Sequence, residues 1–98
     1  MTIAELTDEM HDFVRSKGFY EGDTPRRQTP RNLAISLVLE ASEVLEHFQW
    51  GDEADKTELA GELADVTLYL LQLASVSGID LEQAVLDKLR INRNRTWS

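Results

Sequence analysis

Acidic residues stand in this chain where an amphipathic helix would place leucines, and they restrict how it can fold. Leu33, Leu37, Glu40, Val44 and Phe48 follow one another at steps of three and four, the spacing that lines side chains along one side of an α-helix. Glu40 therefore interrupts an apolar stripe, and Glu43 flanks it. Leu59, Glu62, Val66 and Tyr69 make a second such line, with Asp65 beside it. A carboxylate taken out of water is costly unless it is paired, hydrogen-bonded or bound to metal, and four together repel one another. Two helices that bury these stripes must bring Glu40, Glu43, Glu62 and Asp65 to a shared cation. Oxygen ligands of this kind suit Mg²⁺ or Mn²⁺, which finish their shells with water and phosphate oxygens. The competing reading is a solvated acidic surface, because 18 acids in 98 residues produce some pairs three apart by chance. Interruption of an apolar stripe at both pairs favours the cation.

The periodicity predicts four helices and no strand. Residues from about 3 to 17 carry Ile3, Leu6, Met10, Phe13 and Val14 at helical spacing. Gly18 to Pro30 contains two glycines and both prolines and reads as a loop, long enough in so small a chain to be a functional element. A second helix is expected from Arg31 to about Phe48, with Gly51-Asp52 as the break, and a third from about Ala54 to Val76, closed by Ser77-Gly78. Asp80 has the look of an N-cap, with Gln83 three residues on to complete a capping box for a last helix over Leu81 to about Asn92. The fold class is all-α, a four-helix bundle forming one domain over residues 1–98. Val66, Leu68, Leu70, Leu71 and Leu73 lie all round the third helix and cannot all face one such core, so burial is expected to finish by homo-oligomerisation.

Charge and composition exclude several function classes. The net charge of −8 argues against a nucleic-acid partner, which needs a continuous basic footprint. The bases are clustered: Arg26, Arg27 and Arg31 precede the first acidic pair, and Lys88, Arg90, Arg93 and Arg95 crowd the C-terminal end. A small polyphosphate between metal-bound acids and a few Arg or Lys side chains fits that distribution. The apolar run within Val66 to Val76 is broken by Thr67, Gln72 and Ser75 and is short for a bilayer, so no membrane partner is expected. With no cysteine and an acidic start, Met1-Thr2-Ile3-Ala4-Glu5, a cytoplasmic location is the expectation.

Five blocks together carry a family resemblance. Pro30-Arg31-Asn32-Leu33, Glu40-x-x-Glu43, Phe48-Gln49-Trp50, Glu62-Leu63-x-Asp65-Val66 with Tyr69, and Lys88 with Ile91-Asn92-Arg93 occur in the order seen in the MazG-like, all-α nucleoside triphosphate pyrophosphatases. The chain most resembles the deoxycytidine triphosphate branch of that family, over residues from about 30 to 95. The resemblance implies a Mg²⁺-dependent hydrolase, with Mn²⁺ as a substitute, that cleaves between the α and β phosphates to give a monophosphate and pyrophosphate. Glu40, Glu43, Glu62 and Asp65 would hold the metal and carry the catalysis. Lys88, Arg93 and Arg95 would meet the phosphates, Trp50 would stack on the base, and Tyr69 would lie towards the sugar. Asn92 would hydrogen-bond base or sugar, and His11 and Tyr20 would stand where the branch has a histidine and a second tryptophan. The assembly implied is a tetramer built from two dimers, and the role is clearance of unwanted nucleotides from the pool.

There are departures. Leu39 precedes Glu40 where the wider family has a second acid, Arg90 stands where the branch often has an acid, and the end reads Arg93-Asn94-Arg95-Thr96-Trp97 without a tyrosine directly after the arginines. These bear on the base pocket and leave the acids untouched. The expected substrate is dCTP-like, against dUTP or another deoxynucleoside triphosphate. A non-enzymatic helical module with solvated acids is the alternative of a different class. A di-iron bundle is disfavoured, since His47 follows Glu43 by four residues where Glu-x-x-His requires three.

Overall fold

The computed structural model describes residues 1–20 and 27–96. Four helices account for the order of elements: α1 (Ile3–Ser16), α2 (Pro30–Glu46), α3 (Lys56–Val76) and α4 (Leu81–Arg93). No strand occurs among the described residues. Arg26 of the expected basic cluster and Trp97 lie outside those residues.

Each helix starts at a side-chain cap. Thr2 accepts from the Glu5 N–H while Glu5 reaches back to the Thr2 N–H, a reciprocal capping box. Thr29 caps α2, and Pro30, expected in the loop, is instead the first helical residue, where a missing N–H costs nothing and a fixed φ suits the helix. Asp55 accepts from the N–H groups of Thr57 and Glu58, which starts α3 two residues later than the periodicity suggested. Asp80 caps α4 by accepting from the Gln83 N–H, as expected. The reciprocal half of that box is replaced: Gln83 Nε2 donates to Asp87 Oδ1 at 2.9 Å, one turn further on. At their C-terminal ends, α1 and α3 are each followed by a glycine with positive φ, Gly18 at 70° and Gly78 at 71°, a region strained for other residues. Helix α2 ends at Glu46, ahead of the expected Phe48, and Phe48 and Gln49 continue as tighter turns bonded to Leu45 and Glu46.

Helix α3 is the centre of the fold: α2 packs on it most extensively, α1 next, and α4 through few residues. Met10 and Val14 of α1 pack with Leu71 of α3, and Phe19, Tyr20 and Leu81 close over them. Leu33 of α2 is 1% exposed. Length and composition alone would also suit α3 for crossing a bilayer. Its Glu62 and Asp65, which meet Glu40 of α2, and its packing against three helices instead make it the central helix of the bundle. Outside this core, Val38 and Leu45 on α2, Leu63 and Leu70 on α3, and Leu86 and Ile91 on α4 are exposed, which is more apolar surface than scattered positions explain.

Candidate functional site

Because α2 lies along α3, the two interrupted stripes face each other. Carboxylate oxygens of Glu40, Glu62 and Asp65 lie within 4.8 Å of one another. Glu43, one turn from Glu40, adds its charge to both glutamates. Glu40, Glu43 and Glu62 are half-buried, whereas Asp65 is exposed, less inward than the periodicity implied. Among the described residues, Oε2 of Glu40 and Oε2 of Glu62 are buried with no hydrogen-bond partner. Burial first, and then the Glu43, Asp65 and Glu62 charges, push the Glu40 carboxyl above the usual carboxylate range. Glu62 is raised likewise, by burial first and then by Glu43, while His47 pulls it down from 3.8 Å.

Orphaned acceptors and mutually raised carboxyls fit a divalent cation, which satisfies several acceptors and neutralises their charge together. Oxygens opposite each other in a Mg²⁺ shell are about 4.2 Å apart, so small side-chain rotations suffice to close the cluster on an ion.

Beside the acids, a cavity of about 610 Å³ opens between α1, α2 and α3. Asp65 belongs both to the acidic cluster and to the cavity wall. Phe13, Asn32, Tyr69 and Gln72 continue that wall, which explains why Phe13 is exposed although it lies on the apolar stripe of α1. An apolar chamber with a few convergent polar groups is the usual form of a small-molecule site.

The arrangement joins a sequence pattern to a shape. A sequence profile of the MazG-like family matches residues 35–97. The chain belongs to the MazG-like family. Among relatives, dCTP pyrophosphatase 1 of Homo sapiens is 39% identical over 85 residues, 76% of this chain and 50% of that protein, so the chain spans about half the length of the dCTP pyrophosphatases it matches. The dATP/dGTP diphosphohydrolase of Cyanophage S-2L is 46% identical over 97 residues, 99% of this chain and 79% of that protein. Two solved structures share the fold. A pyrophosphatase from Archaeoglobus fulgidus superposes with a TM-score of 0.78 at 36% identity, covering 92% of this chain and 87% of that one. A Cyanophage S-2L MazG-like pyrophosphohydrolase bound to dGDP and three catalytic Mn²⁺ ions per active site superposes with a TM-score of 0.74 at 30% identity, covering 100% and 84%.

Of the other residues singled out from this MazG-like sequence, Tyr69 reaches the cavity wall, as do Arg27 of the basic cluster and Asn32 of the first family block. Trp50 is 93% exposed, in the turns after α2. His11 and Tyr20 meet each other: Nδ1 of His11 bonds the Tyr20 hydroxyl, and Nε2 bonds Ser75 Oγ at 2.7 Å. Lys88, Asn92 and Arg93 sit on α4 and Arg95 just beyond it, and none lines the cavity. Conversely, sequence reasoning gave no role to Gln72 or Gln28, which the fold places in the cavity wall with Nε2 of Gln72 donating to Oε1 of Gln28 at 2.7 Å. The available signal was a glutamine inside the apolar run Val66 to Val76.

Proposed function

We propose that this chain is a divalent-metal-dependent deoxynucleoside triphosphate pyrophosphohydrolase, using Mg²⁺ or Mn²⁺ and releasing a monophosphate and pyrophosphate. The observation that carries this reading is the convergence of Glu40, Glu62 and Asp65 within 4.8 Å, at the edge of a cavity that shares Asp65. Glu40, Glu43, Glu62 and Asp65 would hold the metal. The ion supplies charge for the phosphate oxygens and activates water. The side chains do the remainder. Asp65 joins the phosphate end to the chamber, Tyr69 flanks the sugar, and the apolar wall of Leu6, Phe13 and Leu68 excludes water from the nucleoside.

We propose further that the chain acts as a homo-oligomer, a tetramer of two dimers. Exposed apolar side chains on α2, α3 and α4 support this. Assembly would also bring the phosphate-binding groups Lys88, Arg93 and Arg95, the base- or sugar-binding Asn92 and the stacking Trp50 to a site that they do not line within one chain. The proposed substrate is dCTP, and the purine triphosphates are the second reading, favoured by the named activity of the Cyanophage S-2L relative. A panel of triphosphates, assayed by chromatography with Mg²⁺, with Mn²⁺ and with chelator, tests the reaction. Metal-dependent monophosphate and pyrophosphate are expected. Diphosphate with free phosphate, or turnover in chelator, would overturn the proposal.

A further inference from the structure

Gln72 is the one fully buried polar side chain among the described residues, 3% exposed in an apolar stretch of α3. Its Nε2 donates to Oε1 of Gln28 at 2.7 Å and to the Tyr20 hydroxyl at 3.3 Å. The Tyr20 hydroxyl has one hydrogen. With that hydrogen directed to Nδ1 of His11, and the His11 Nε2–H donating to Ser75 Oγ, every bond in the chain runs from Gln72 towards Ser75. Both hydrogens of the Gln72 amide are then engaged, and no described residue donates to its Oε1. Since Gln72 lines the cavity, that oxygen is the group it offers an occupant. Asn32 repeats the pattern across the cavity: its Nδ2 donates to the Arg27 carbonyl at 3.1 Å, leaving Oδ1 as acceptor.

Distance along the helix says what meets this oxygen. Asp65, Tyr69 and Gln72 all line the cavity, and at 1.5 Å per residue Gln72 lies roughly 10 Å beyond Asp65 along the axis. With phosphates at the acids and the sugar near Tyr69, the edge of the base is delivered to Gln72. This rests on the proposed triphosphate chemistry. We infer that Gln72 is a specificity-determining residue whose Oε1 accepts a hydrogen bond from the exocyclic amino group at C4 of cytosine or C6 of adenine, so that the substrates are cytosine or adenine deoxynucleotides and not those whose base carries a carbonyl oxygen there. Cytosine N4 and adenine N6 are amino donors, whereas uracil and thymine turn O4, and guanine turns O6, to the same place and would set acceptor against acceptor. A site built to pair a donor rejects the analogue that lacks it.

Matched substrate pairs test this, each pair differing at the amino group. Binding of the non-cleavable α,β-imido analogues of dCTP and dUTP, and of dATP and dITP, would be measured by calorimetry with Mn²⁺. The wild type is expected to bind the amino member of each pair about tenfold more tightly, and Gln72→Leu or Gln72→Met to bring each pair within about threefold, the effect of one neutral hydrogen bond. Two substitutions guard against a folding defect in either, checked by circular dichroism. Equal affinities in the wild type, a preference for dUTP, or the wild-type ratio surviving in the folded variants would each overturn the inference. A wild type that prefers amino bases but releases no pyrophosphate from the cleavable triphosphates would sink the proposed reaction and leave the role of Gln72 standing. Failure to bind any analogue would overturn both.

Discussion

Asp65→Asn separates catalysis from folding more cleanly than any other change at the acidic cluster. Asp65 is exposed, and no described residue forms a hydrogen bond or ion pair with its side chain. Removing its charge while keeping its shape leaves nothing buried and unpaired, so the stability change should stay within about 0.5 kcal/mol, the range of ordinary surface substitutions. For a domain of this size that is a melting shift of roughly 2–4 °C. The sign should favour the variant without metal, because Asp65 adds to the repulsion that raises both Glu40 and Glu62. Activity should respond in the opposite sense. Asp65 is one of three carboxylates gathered within 4.8 Å and the one shared with the cavity, so a neutral amide there weakens the hold on metal and substrate together. Loss of a single group that stabilises developing charge lowers kcat by about 10²–10³, and the variant should lose at least that much. Pyrophosphate release in saturating Mn²⁺, with calorimetric melting of the metal-free proteins, reads both quantities. A variant keeping a tenth of wild-type kcat would refute the placement of Asp65 in the metal site. One that melts far below wild type would show that its carboxylate holds the fold.

Other residues give further expectations. Leu33→Ala, at a position 1% exposed on α2, should cost about 2–5 kcal/mol through lost burial and the void left behind; a urea midpoint close to wild type would show that α2 can settle into the gap. His11 has its pKa lowered from 6.5, by burial first and then by Arg15, with Asp8 and Asp12 acting the other way. The unfolded chain therefore takes up a proton before the folded one, and the stability due to neutral His11 is complete above pH 6.5 and is lost as pH falls through the lower folded value. The stability difference between wild type and His11→Gln should shrink over that window, and a difference flat from pH 7.5 to 5 would refute it. Trp50→Ala should leave the single-chain fold unchanged, because the ring is 93% exposed, yet weaken substrate binding by about 1–3 kcal/mol if the assembled oligomer seats it on a base. Unaltered substrate affinity would place Trp50 outside the site.

The sequence by itself determined the helices and the acids. Spacings of three and four around Leu33, Leu37 and Glu40, and around Leu59, Glu62 and Val66, are local properties, and caps such as Asp80 act over three residues, so both are legible in one dimension. Two acidic interruptions of apolar stripes also implied that α2 and α3 would face each other, because no other packing shares the cost of the charges. Only the tertiary structure decided the cavity. Gln28 and Gln72 are separated by 44 residues and meet at 2.7 Å, and His11 meets Ser75 across 64 residues. Neither contact leaves a periodic trace, because a hydrogen bond between distant residues depends on how helices cross and not on where each begins. The exposure of Asp65 and the distance of Trp50 and α4 from the chamber were undetermined for the same reason. Helical phase says which residues share a face, and packing decides what that face meets.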